Sequence, residues 1–156
     1  QVDTPLVVDA GGLSLLADHF PLHNSNTVLT PHPGEAAALL GETSDAIQAD
    51  RVRAVNALHT FSGCTIVLKG NGSLVCSESE LALCTAGNPG MATAGMGDIL
   101  TGVIAALIGQ GLATESAARL GVLIHAMAAD KAAGKAPVGL LATDLYPEIR
   151  SLVNHP

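Results

Sequence analysis

Aromatic side chains are nearly missing from this sequence: 156 residues hold no Trp, one Tyr and two Phe. A core built from them is excluded, so the interior has to be Ala, Val, Leu and Ile packed between close-lying backbones, and the 17 glycines suit that packing. Basic residues are scarce too. Seven Lys and Arg stand against fourteen Asp and Glu, a net charge of −7 with no Lys/Arg cluster, which argues against a nucleic-acid partner, since binding a phosphate backbone needs concentrated positive charge. Cysteines are few and odd in number. Cys64, Cys76 and Cys84 show no CxxC spacing, so neither a disulfide framework nor a zinc knuckle is indicated, and a reducing cytoplasm is the expected setting. No long apolar run exists. The most apolar charge-free stretch lies between Asp98 and Glu115, is broken by Gly102, Gly109 and Gly111, and falls short of the ~20 residues of a membrane span, so it reads as a buried helix. The chain starts at Gln1 without a basic segment leading into an apolar one, so no signal peptide is read there. GxxxxGK[ST], GxGxxG, GxSxG and HExxH are all absent, which counts against the common nucleotide-binding and hydrolase classes.

What is present is a strand, turn and helix grammar. Leu6-Val7-Val8 ends in Asp9 and leads through Gly11 and Gly12 to a helical stretch, Leu13 to Ala17. Thr27-Val28-Leu29 leads through Thr30-Pro31-His32-Pro33-Gly34 to a helix from Glu35 to Leu40. Ser44 or Asp45 can cap a longer helix whose Ile47, Arg51, Val55 and Leu58 share a face, with Gly63 stopping it before the strand Thr65 to Leu68. Gly70-Asn71-Gly72-Ser73 is a turn, and Leu74 to Cys76 and Leu81 to Leu83 form a hairpin at one sheet edge. Three helices follow: Asp98 to Ile108, Thr114 to Ala133 with Thr114 as cap and Gly134 as stop, and Asp144 to Val153 capped by Thr143, with Pro147 in its opening turns. The pattern predicts one α/β domain across residues 1–156, a mostly parallel sheet covered by helices on both faces.

In such sheets ligands bind outside the carboxyl ends of the strands, and the polar clusters lie there. Gly95 and Gly97 leave backbone N–H groups uncovered at a helix N-terminus, a ready anion site, and Asp98 adds a carboxylate whose repulsion of a bound anion is a cost unless it has a task such as taking a proton from an attacking hydroxyl. The bland alternative is a loop plus an acid favoured by the helix dipole. Lys69 with Gly70, Asn71, Gly72 and Ser73 offers a cation and bare N–H donors to a nucleotide phosphate, or else is an ordinary hairpin turn. His32, fixed between two prolines, can hydrogen-bond a ligand or stand in solvent; Glu35 can cap its helix or reach magnesium through water, with capping the favoured role. His19 and His23, separated by Pro21, are surface residues rather than a metal pair. His125 and Asp130 lie in the most apolar helix with Ala118, Val122 and Met127 as core, and His125 is expected to be a buried, hydrogen-bond-satisfied histidine rather than a catalytic one.

Three segments in order, Thr30 to Glu35, Val67 to Ser73 and Gly87 to Gly102, resemble the ADP/ATP-dependent NAD(P)H-hydrate dehydratases, whose carbohydrate-kinase-like domain belongs to the ribokinase superfamily. His125 to Asp130 and Ala142 to Leu145 are similar as well, so the resemblance runs along nearly the whole chain. It implies a ribokinase-like three-layer fold and repair of the S form of NADH or NADPH hydrate, in which a nucleotide phosphoryl group turns the ring hydroxyl into a leaving group. ADP is the expected donor, with ATP the other option and Mg2+ on the phosphates. By motif, His32 and Asp98 would contact the hydrated nucleotide, Asp98 as base, and Lys69, Gly70, Asn71, Gly72, Ser73 and Gly97 the adenine nucleotide. Two departures stand out. The family's Asp-Ala-Asp-Ala-Leu is here Asp9-Ala10-Gly11-Gly12-Leu13, lacking the second acid, and the family's opening strands and helices are absent, as in a C-terminal portion. Either the rest of the domain is missing from this chain or a second copy covers the exposed sheet edge, and a homo-oligomer is expected. The alternatives are a ribokinase-like small-molecule kinase and a non-catalytic nucleotide-binding module.

Overall fold

The structure is a computed structural model that describes residues 4–19 and 24–154. Five strands form one sheet in the order of the chain: β1 (Leu6–Val8), β2 (Thr27–Leu29), β3 (Thr65–Leu68), β4 (Leu74–Cys76) and β5 (Leu81–Leu83). The β1–β2 and β2–β3 pairs are parallel and the β3–β4 and β4–β5 pairs antiparallel, so β4 alone runs against the other four. The expected mostly parallel sheet with an edge hairpin is what forms.

Alternation along the strands divides the core into two layers. Leu29, Ile66, Leu68, Leu74 and Cys76 face one side, packed with Leu13 of α1 (Gly11–Ala17), Ala37 of α2 (Pro33–Leu40), Ile47 of α3 (Ser44–Ala49) and Leu58 of α4 (Arg51–Ser62). Val28, Val67 and Val75 face the other, against Leu100 and Ile104 of α5 (Met96–Gly109) and Ala117 and Val122 of α6 (Thr114–Ala133). Each buried Leu or Ile contributes about 1.5–3 kcal/mol over its exposed state, and small residues let the layers close. A Cβ on Gly121 of α6 would lie 2.7 Å from Ile104 Cγ1, so these two helices approach to the distance a glycine permits. The last helix, α7 (Leu145–Asn154), packs on α6 through Ile149 and Leu152. Among the described residues no helix is long and apolar enough to cross a membrane.

Several helix ends differ from expectation. The helix over 44–62 is two helices, because Asp50 (φ −146°, ψ 81°) leaves the helical region and its carboxylate accepts the Arg53 N–H at 2.9 Å, capping α4. Thr43, not Ser44 or Asp45, caps α3 through Oγ1, at 3.2 Å from Ala46 N. Thr114 lies inside α6, whose N-cap is Ala113 with no side-chain cap. Thr143 lies inside a short 3₁₀ turn, Ala142–Asp144, that leads into α7, and it is the Asp144 carboxylate that closes this turn, accepting the Leu141 N–H at 2.8 Å. The Gly63 and Gly134 stops hold. His19 is exposed; His23 lies outside the described residues. Ala118 and Val122 are buried, but Met127 is 39% exposed, turned outward between buried Ala126 and Ala128.

Candidate active site

The carboxyl ends of β1, β2, β3 and β5 open into one cavity of about 900 Å³. Its lining includes the residues assigned from the sequence to a ligand site: His32 and Glu35 after β2, Lys69, Gly70, Asn71, Gly72 and Ser73 after β3, and Gly97 and Asp98 at the start of α5. Chain direction explains the gathering, since strands running the same way deliver their following loops to the same sheet edge.

Gly95 is the N-cap of α5 with φ 86°, a left-handed conformation that costs a side-chain-bearing residue about 1–2 kcal/mol. The first helical bond runs from Ile99 N–H to Gly95 O at 3.1 Å, so the N–H groups of Met96, Gly97 and Asp98 precede the ladder and lie at the positive end of a 14-residue helix. A Cβ on Gly97 would sit 3.3 Å from Lys69 Nζ and 3.6 Å from Asp9 Oδ2; the bare glycine keeps the lysine ammonium against the helix terminus. Two sources of positive potential thus converge on one spot.

Lys69 is held by Asp9 Oδ1 at 2.7 Å, with Glu35 Oε2 at 3.7 Å. Asp9 Oδ2 also accepts the Thr101 hydroxyl at 2.8 Å. Burial opposes ionisation of Asp9, but the Lys69 and Thr101 hydrogen bonds, the lysine charge and the Ala10 N–H outweigh it and hold the carboxyl below the usual carboxylate range. Asp9 is therefore an anion already committed to a partner. Asp98 is exposed and, among the described residues, has no side-chain hydrogen bond or ion pair. It is the cavity carboxylate left available to act on a ligand.

His32 proves to be a helix cap as well as a cavity residue. Its Nδ1 accepts the N–H of Gly34 at 3.0 Å and of Glu35 at 3.2 Å, while Glu35 Oε2 accepts the His32 N–H at 2.7 Å, a reciprocal capping box. Because Nδ1 must present a lone pair to those donors, the proton of the neutral ring is on Nε2, which lies 3.6 Å from Glu35 Oε1 on the cavity wall. Glu35 takes the favoured capping role. His125 is 6% exposed, and burial, partly offset by a bond with the Met96 backbone, lowers its pKa to about 4. It is buried as expected and neutral at pH 7, but not fully satisfied: the Met96 backbone engages the ring, while its Nε2 has no hydrogen-bond partner among the described residues.

Three residues that hold the cavity walls were not assigned such a role from the sequence. Asp130 accepts the Gly87 N–H at 2.8 Å and Asn88 Nδ2 at 3.0 Å, fastening the glycine-rich segment to α6. Thr101 fixes Asp9. Arg51 reaches the carbonyl oxygens of Leu68, Lys69 and Asn71. Their partners are 42 and 43, 92, and 17 to 20 residues away, separations over which local patterns carry no signal.

A three-layer α/β sheet that sets a glycine-rich helix N-terminus and a lysine-bearing loop around one cavity belongs to the ribokinase-like class. The solved structure of the ADP/ATP-dependent NAD(P)H-hydrate dehydratase from Bacillus subtilis, co-crystallised with ATP and Mg2+ and soaked with CoA, superimposes with a TM-score of 0.88 at 26% identity, covering 99% of this chain and 57% of that one. Residues 1–151 match the family model described as NAD(P)H-hydrate dehydratase, and the chain belongs to that family. It is 51% identical over 156 residues to a bifunctional NAD(P)H-hydrate repair enzyme of Coxiella burnetii and 42% identical over 162 residues to an ADP-dependent (S)-NAD(P)H-hydrate dehydratase of Neisseria meningitidis. Both alignments take in 99% of this chain, which spans 32% of the first relative and 55% of the second.

Proposed function

We propose that this chain carries out the nucleotide-dependent dehydration of the S form of NADH or NADPH hydrate, with ADP as the phosphoryl donor. The observation that carries the reading is the unpaired Asp98 carboxylate at the N-terminus of α5, in the same cavity as the Lys69 to Ser73 loop. The terminal phosphate of the nucleotide takes the N–H donors of Gly97 and its neighbours, with Lys69 and the loop from Gly70 to Ser73 holding the remaining phosphate and the ribose region. The His32 Nε2–H and Asp98 face the hydrated nicotinamide.

Asp98 accepts the proton of the ring hydroxyl as its oxygen bonds to the terminal phosphorus, and the bridging P–O bond breaks to release AMP. The ring carbon then loses phosphate, a proton leaves the neighbouring carbon, and the double bond of the nicotinamide re-forms. Among the described residues no three His, Cys, Asp or Glu side chains could hold a metal, and Asp9 is already tied to Lys69 and Thr101. Magnesium in this reading is carried by the nucleotide's phosphates.

The names of the Neisseria and Bacillus proteins support an adenine nucleotide as donor. A reducing cytoplasmic setting accords with the free thiols of Cys64, Cys76 and Cys84, and a homo-oligomer with β1 lying at the sheet edge. The test is to mix the protein with NADH hydrate, magnesium and either ADP or ATP. Return of NADH absorbance with matched release of phosphate is expected, faster with ADP. A folded, full-length protein that restores no NADH with either nucleotide refutes the proposal, and a phosphorylated alcohol without dehydration would point instead to a small-molecule kinase.

A further inference from the structure

Arg51 opens α4 and makes a set of contacts unusual for a surface arginine. Nη1 donates to Asn71 O at 2.5 Å, and Nη2 to Leu68 O at 3.1 Å and Lys69 O at 3.4 Å. Its partners are carbonyls of the last residue of β3 and of the loop that follows; among the described residues no carboxylate pairs with it. The fit is close, because a Cβ on Gly70, whose φ is 150°, would lie 2.9 Å from Nη2. Residues 69–73 all line the cavity and Arg51 does not, so the guanidinium sits behind the loop.

Peptide planarity gives this placement a consequence on the other side. In a trans peptide the C=O and the following N–H point in opposite directions. With the Lys69 and Asn71 carbonyls drawn to Arg51, the N–H groups of Gly70 and Gly72 are turned away from it. A rigid planar fork holds both peptides at once, and its charge polarises them so that their donor ends carry added positive character.

We propose that Arg51 is the positioning residue that presents the loop from Lys69 to Ser73 to the nucleotide phosphates, acting through the backbone without touching the ligand. This rests on the reading of that loop as the nucleotide site. A lysine in its place keeps the charge and the apolar stem but cannot span three carbonyls, so Arg51→Lys is expected to fold and still to bind poorly.

The experiment measures ADP binding by calorimetry and steady-state kinetics for the full-length parent, Arg51→Lys, Arg51→Ala and Lys69→Ala. Loss of the fork should raise the Kd and KM for ADP about tenfold or more in Arg51→Ala and by a smaller factor in Arg51→Lys, with kcat at saturating ADP within about threefold of the parent. If either folded Arg51 variant binds ADP within about twofold of the parent while Lys69→Ala weakens it, the role of Arg51 is refuted and the nucleotide site stands. If kcat falls with KM unchanged, the positioning role is likewise refuted. A parent that binds no ADP overturns both the site and the inference.

Discussion

Replacing Lys69 by Met isolates the electrostatics on which the cavity rests. The lysine ammonium lies 2.7 Å from Asp9 Oδ1, with the two side chains 19% and 9% exposed. At an effective dielectric of about 20 that separation corresponds to a Coulomb attraction of about 6 kcal/mol, most of which is offset by the desolvation of both ions. Removing one partner of a fully buried pair costs about 3–5 kcal/mol, and of an exposed pair about 0–1 kcal/mol. Asp9 keeps its Thr101 and Ala10 hydrogen bonds, so Lys69→Met is expected to destabilise the fold by about 2 kcal/mol at pH 7. The Asp9 carboxyl is held below its ordinary value in the parent, so its stabilising contribution is present above the unfolded carboxylate pKa and is lost as pH falls through the folded one. The gap between Lys69→Met and the parent should therefore narrow toward pH 4 and below. Adding Asp9→Asn removes the stranded charge and should recover stability to within about 1 kcal/mol of the parent. ADP binding should not recover, because the cation is still missing. Urea unfolding across pH with ADP calorimetry on the four proteins of the cycle gives all these quantities. A Lys69→Met protein as stable as the parent, or a double variant no more stable than the single one, refutes the reasoning.

Asp98→Asn should keep ADP affinity and stability while turnover falls on the order of a hundred- to ten-thousandfold, the range for a general base; steady-state kinetics giving a rate near the parent's removes Asp98 from that role. His125 is neutral in the folded state down to about pH 4, whereas its ordinary value is 6.5. The unfolded chain then binds the proton first, so this residue should withdraw about 3 kcal/mol of stability as pH falls from 6.5 to 4, and His125→Gln should flatten that part of the urea-unfolding profile. Gly95→Ala introduces a side chain at φ 86° and a Cβ 3.2 Å from that of Ala142. A loss of about 1–2 kcal/mol with weakened ADP binding is expected, and unchanged thermal unfolding would contradict the left-handed cap.

The strands and the turns after them were legible because their signals are local: β-branched runs such as Thr65 to Leu68, and prolines and glycines beside them. The rule that ligands gather at the carboxyl ends of parallel strands then brought Asp9, His32, Lys69 and Asp98 to one edge before any contact was known. Helix ends were less legible, since Thr43, Asp50, Ala113 and Asp144 are separated from rival caps only by backbone conformation. Arg51 shows the limit most clearly. Its helical spacing with Ile47, Val55 and Leu58 suggested a face of one long helix, whereas the break at Asp50 puts it at the start of α4 with its guanidinium against a loop 17 to 20 residues away. The dual role of His32 was hidden for a related reason, because the Pro-His-Pro pattern fixes the backbone without showing which ring nitrogen the helix start engages.

The central claim is that phosphoryl transfer to the ring hydroxyl over Asp98 precedes loss of that oxygen. NADH hydrate prepared with heavy oxygen in its ring hydroxyl, turned over with ADP and magnesium, tests it directly. The account predicts that the label leaves in inorganic phosphate, one labelled oxygen for each NADH restored, and that Asp98→Asn slows release of label and return of NADH together. Label found in bulk water, with the phosphate unlabelled, would contradict it.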